Sequence, residues 1–178
     1  MSFIARLMIV VLVLAGLLLA IYWLVAQPLV TPIASKSPPV DISRLQAHVR
    51  VLSQELYPRS YDQRTKLAAA AAYVRAQLTG AGANTEEQVF SVDGDGYRNI
   101  IARYGPTDGP VLVIGAHYDS YGNEVRGASF PGGYDITTHT PGADDNASGV
   151  AGLIELARLL TQAPPKIGVE LVCLSFPE

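Results

Sequence analysis

The sequence predicts an α/β fold, a three-layer sandwich around a mixed, mainly parallel sheet, preceded by one transmembrane helix. Three observations carry this. Residues 7–26 are an unbroken apolar run, LMIVVLVLAGLLLAIYWLVA. Residues 111–116 and 169–176 are short apolar stretches on either side of a helical pattern over 146–162, the order of a strand–helix–strand unit whose strands are covered on both faces. Residues 88–92 and 97–104 read as strands around Asp93-Gly94-Asp95-Gly96, a hairpin signal that makes the sheet mixed rather than purely parallel.

Taken in order, the first element is the apolar run. At ~1.5 Å rise per residue it spans roughly 30 Å, the thickness of a bilayer's hydrocarbon core. Tyr22 and Trp23 lie near its end, where amphipathic rings prefer the interface, and Arg6 precedes it. The positive-inside rule then puts residues 1–6 in the cytoplasm, a single pass over 7–26, and the C-terminal domain outside. A cleaved signal peptide is the competing reading. It calls for a shorter apolar core and a small-x-small cleavage site, which Leu24-Val25-Ala26 matches poorly. Residues 27–40 contain Pro28, Pro32, Pro38 and Pro39 and read as a stiff linker before a domain over 41–178. Asp41 can cap a helix with Leu45, Val49, Leu52 and Leu56 on one face, ended by Tyr57-Pro58. A second, alanine-rich helix runs from about 62 to 79, with Gly80 as its C-terminal cap. After the hairpin and a turn over 105–109 come the first apolar strand, a Gly- and Pro-containing loop over 119–143, and a helix with Val150, Ile154 and Ala157 on one stripe. Pro164-Pro165 stops that helix before the last strand.

Composition narrows the function. The 178 residues carry a formal net charge of -3, so no basic excess attracts nucleic acid. Cys173 is the only cysteine, which excludes an intrachain disulfide and a thiolate metal cluster and leaves it as a small core residue.

Two motifs lie at the ends of apolar elements, where sites form in such sheets. In Gly115-Ala116-His117-Tyr118-Asp119-Ser120, an imidazole at a strand end is followed two positions on by a carboxylate. Side chains at i and i+2 of an extended segment point the same way. Asp119 can then hold one ring nitrogen of His117 and leave the other for a metal. The alternative is a hydrogen-bonded strand-end histidine with no ligand. In Pro141-Gly142-Ala143-Asp144-Asp145-Asn146-Ala147-Ser148-Gly149, two carboxylates precede a helix. Asn146, Ser148 or either aspartate can simply cap it; a cation in a loop of small residues is the other reading.

Together, GAHYDS followed by PGADDNASGVAGLIELARLL and an apolar strand reaching a Glu closely resemble the di-zinc exopeptidases of the aminopeptidase Y and bacterial leucyl aminopeptidase type. The resemblance runs from about Leu45 to Glu178 and implies a zinc-peptidase-like fold. It matches His117 to a zinc ligand, Asp119 to the carboxylate that orients this histidine, and Asp145, rather than Asp144, to the aspartate bridging two zinc ions. One carboxylate has two oxygens to share between such a pair, and N/O donors without thiolate suit zinc, with manganese or cobalt as chemical alternatives.

The resemblance is incomplete. The family continues with a Glu-Glu pair, a general base and then a zinc ligand. Aligned without a gap, Pro177 falls on the base and Glu178 on the ligand; slipped by one, Glu178 is the base. His48 and His139 match no family position. The expectation is a membrane-anchored, zinc-dependent, aminopeptidase-like hydrolase of peptides, with its domain incomplete at the C-terminus and inactive as 178 residues. The alternatives are a non-catalytic membrane protein of the same fold and a glutaminyl-cyclase-like acyltransferase using one zinc.

Overall fold

The computed structural model describes residues 2–26, 39–121 and 140–175. The chain forms two compact units, Met1–Ser37 and Pro38–Glu178. Residues 27–38 of the expected linker, most of the 119–143 loop with His139, and Pro177-Glu178 lie outside the described residues.

In the first unit, α1 (Phe3–Ala26) is a single helix with no buried residue and a mean hydropathy of 2.9 over its most apolar window. By length and composition it can cross a membrane, as can a signal sequence.

The second unit begins with α2 (Ile42–Arg50), where the Asp41 carboxylate accepts from the Ser43 amide at 2.9 Å as the N-cap. A wider turn over Val51–Glu55 continues it and buries Leu52 completely. α3 (Arg64–Gly80) buries Leu67, Ala70, Ala71, Val74 and Leu78, the recurrence of one helical face. It ends later than expected. Gly80 belongs to the helix, and the left-handed residue is Gly82, at φ +92°, whose missing Cβ would lie 2.7 Å from the Thr161 side chain.

The sheet has the order β1–β2–β4–β3. Strands β1 (Asn84–Val92) and β2 (Asp95–Tyr104) form the expected hairpin, with a tighter turn. Only Asp93 and Gly94 lie between the strands, at φ +52° and +87°, the double left-handed signature of a type I′ turn. Strand β3 (Val111–His117), helix α4 (Ser148–Gln162) and strand β4 (Gly168–Leu174) make the parallel crossover, and β4 runs antiparallel to β2.

The mixed α/β sheet is as expected, with two corrections. It is not mainly parallel among the described residues: of the three strand pairings there, two are antiparallel, because β4 inserts beside the hairpin. Among the described residues the helices also occupy one face rather than two. One cluster joins Leu52, Val74, Leu78, Val150 and Ile154 to the in-register sheet residues Ile100, Ala102, Ala116, Leu171 and Cys173. The opposite parity carries the Arg103–Glu170 pair at 2.7 Å and the Arg103–Glu86 pair, which suit a solvated sheet face. The apolar edge is β3, with Val111, Leu112 and Val113 exposed, whereas β4 is paired on both sides. Cys173 is fully buried, and burial pushes its thiol up to about 12.

Candidate metal centre

His117 is the last residue of β3, aligned with Leu174 of β4. Two residues on, Asp119 is buried in the segment that leaves the sheet. The parallel crossover brings the chain back to this sheet edge at Gly142, which is left-handed at φ +62°. Asp145 and Asn146 then take non-helical conformations (φ -118° and -138°) before α4 starts at Ser148. The helix therefore begins two residues later than its sequence pattern suggests.

That delay separates capping from the carboxylates. The Asn146 side chain accepts from the Gly149 amide at 3.1 Å and serves the start of α4. Ser148 Oγ donates to the Asp144 carbonyl at 2.9 Å. Asp145 points elsewhere: its Oδ1 lies 2.9 Å from His117 Nε2, across 28 positions of chain, and its side chain is 88% exposed. On the opposite side of the ring, His117 Nδ1 faces Asp119 Oδ1 at 3.5 Å. The imidazole thus sits between a buried carboxylate and an exposed one.

Two donors bound at ~2.0–2.2 Å to one tetrahedral zinc lie roughly 3.4 Å apart. The 2.9 Å between His117 Nε2 and Asp145 Oδ1 is within about half an ångström of that spacing, and imidazole plus carboxylate is a zinc-type donor set. The pair fits zinc as two of its ligands. No group of three or more His, Cys, Asp or Glu that could hold a metal occurs among the described residues.

One buried side chain beside this pair was not legible in the sequence. Arg59 is fully buried and donates to four main-chain carbonyls: Tyr118 at 2.6 Å, Leu52 at 2.7 Å, Pro141 at 2.8 Å and Gly142 at 2.7 Å. Burial pulls its guanidinium down to about 10, against the attraction of Asp119 and Asp145, so it is a cation at neutral pH. His48, which matches no family position, is buried in α2, with its Nδ1 2.7 Å from the Tyr73 hydroxyl.

Residues 99–176 match the profile of Peptidase family M28. This segment is similar to the M28 peptidases. The chain is 44% identical over 152 residues to the uncharacterized protein YfbL of Escherichia coli (strain K12), covering 85% of this chain and 45% of that one. Among solved structures, it is similar to a glutaminyl cyclase of Bacteroides thetaiotaomicron (TM-score 0.64, 26% identity, 80% of this chain and 51% of that one). It is similar as well to a Zn-dependent exopeptidase of Parabacteroides distasonis (TM-score 0.61, 27% identity, 80% and 50%). The chain spans about half the length of the proteins it matches.

Proposed function

We propose that the chain is part of a membrane-anchored, zinc-dependent exopeptidase in which His117 and Asp145 hold zinc and Asp119 orients His117. The observation that carries this reading is the approach of His117 Nε2 to Asp145 Oδ1 at 2.9 Å while Nδ1 faces Asp119. A hydrogen-bonded carboxylate on one ring nitrogen fixes the tautomer and leaves the other to a metal. When bound, zinc would polarise the scissile carbonyl and make the attacking water more acidic. The exposed Asp145 carboxylate is reachable by a peptide and, with two oxygens, can serve two ions. Glu178 is assigned the general base or a further zinc ligand, by resemblance alone. With His117 and Asp145 as the described donors, the 178 residues are expected to bind zinc weakly and to hydrolyse no aminoacyl anilide. The domain is assigned to residues 41–178, and the linker to 27–40. The anchor is assigned to residues 7–26, with residues 1–6 cytoplasmic and the domain outside.

The likeness to a glutaminyl cyclase favours a second reading, an acyltransferase with a single zinc. Metal analysis of the purified chain after zinc dialysis tests the proposal. Bound zinc that disappears in both His117→Ala and Asp145→Asn is the expected result. Zinc retained in both variants would refute it. Alkaline carbonate extraction tests the anchor: an integral span stays with the membrane, and release of a product beginning near Gln27 would show a cleaved signal instead.

A further inference from the structure

Neither segment that carries the metal pair belongs to a helix or to the interior of a strand. His117 ends β3, Asp119 lies beyond it, and Asp145 lies in the irregular turn before α4. Something has to fix these two segments against each other, and the hydrogen bonds of one side chain do so. The Arg59 Nε donates to the carbonyl of Tyr118, the residue between His117 and Asp119. Its Nη1 and Nη2 donate to the carbonyls of Pro141 and Gly142, which lead into Asp144 and Asp145. A further bond from Nη1 to Leu52 ties the group to the turn after α2. In the reverse direction, the Ser120 amide donates to the Arg59 carbonyl at 3.2 Å. Gly142 is shaped to the same contact, since a Cβ there would lie 2.9 Å from Arg59 Nη2 and 2.7 Å from Ser120 Cβ.

We propose that Arg59 is a positioning residue for the metal pair: its planar fork gathers the Tyr118, Pro141 and Gly142 carbonyls and so sets the separation of His117 from Asp145. The guanidinium touches neither the metal nor the substrate, and it acts through the backbone of both segments. The zinc part of this assignment rests on the proposed function; the geometric part does not. Arginine is required because its donors lie in one rigid plane and reach four carbonyls at once. A lysine keeps the charge, yet its single nitrogen has three donors and no fork. The fork, rather than the charge, is therefore the property to test. A buried cation this close to a zinc site gives no attraction for the metal, so retained charge alone cannot account for retained affinity.

The full chain in detergent, with Arg59→Lys and Arg59→Met beside it, provides the test. Three quantities are measured: secondary structure by circular dichroism, the His117 Nε2–Asp145 Oδ1 separation in metal-free crystals, and cobalt affinity from visible absorption. The expected result is a folded Arg59→Lys chain whose separation opens beyond about 3.5 Å and whose cobalt dissociation constant rises about 10–100-fold, the range for residues that orient metal ligands. Arg59→Met should show the same changes more strongly. A folded Arg59→Lys chain that keeps the 2.9 Å separation, or binds cobalt within twofold of wild type, would overturn the proposal. Loss of the fold in Arg59→Lys would overturn it too, by assigning Arg59 to general stability. If wild type binds no cobalt, the proposed function fails, and the separation in crystals still decides the role of Arg59.

Discussion

Replacing Gly142 by alanine should damage both the fold and the approach of His117 to Asp145, and the structure gives the size of the effect. Gly142 has φ +62°, a region that costs an L-residue with a Cβ about 1–2 kcal/mol. The new methyl group would also lie 2.7 Å from the Asp145 carbonyl oxygen, 2.7 Å from Ser120 Cβ and 2.9 Å from Arg59 Nη2. Two of those atoms belong to segments fixed by hydrogen bonds, and forcing an extra carbon into such packing costs about 1–3 kcal/mol more. The sum is roughly 2–5 kcal/mol. For a domain of this size that lowers Tm by roughly 6–20 °C. The assay is thermal unfolding followed by circular dichroism in detergent, with Gly94→Ala as the reference. Gly94 is also left-handed, at φ +87°, but a Cβ there meets nothing within 4 Å, so the reference isolates the conformational cost. If Gly142→Ala lowers Tm no more than Gly94→Ala does, the close packing of Gly142 against Arg59 and Ser120 is wrong.

Three other outcomes follow from the rest of the domain. Because Cys173 is fully buried and its thiol is pushed up to about 12, it should resist a thiol-directed disulfide reagent at pH 8 until the chain is unfolded; rapid native labelling would contradict this. Burial holds the His48 imidazole below its ordinary 6.5, with Glu155 opposing and Arg44 assisting. A depressed histidine favours the neutral form in the folded state, so its contribution is intact above about pH 6.5 and is lost as pH falls below that value. Tm should accordingly drop between pH 7.5 and 5.5, and His48→Gln should flatten that dependence; an unchanged slope would sink the assignment. Finally, Val113 is 59% exposed on the edge strand β3, so Val113→Lys should reduce aggregation of the purified chain without lowering Tm. Unchanged aggregation would show that another surface is responsible.

How much of this was legible in the sequence depends on the range of the interactions. The hairpin was readable because Asp93-Gly94 is a local turn signal. The crossover was readable because residues 111–116, 146–162 and 169–176 each carry their own apolar pattern. The meeting of His117 with Asp145 followed from both motifs lying at the ends of apolar elements. The strand order was harder. Nothing local distinguishes a β4 inserted beside the hairpin from one at the edge, so the exposed apolar strand is β3 and not the last strand. The solvated sheet face depends on Arg103 meeting Glu86 and Glu170, a pairing fixed by register. Arg59 was invisible for a stronger reason. It sits among polar residues between two helices, and its partners lie as far as 83 positions away. Pro141-Gly142 was a turn signal, but its left-handed glycine gains meaning only once Arg59 packs beside it.

The central claim is that His117 and Asp145 hold zinc together. Anomalous diffraction at the zinc edge, from crystals of the chain soaked in zinc, tests it most directly. A peak is expected within ~2.0–2.2 Å of both His117 Nε2 and Asp145 Oδ1, absent from Asp145→Asn crystals treated in the same way. A zinc peak elsewhere on the molecule, with His117 still hydrogen-bonded to Asp145 at 2.9 Å, would contradict it.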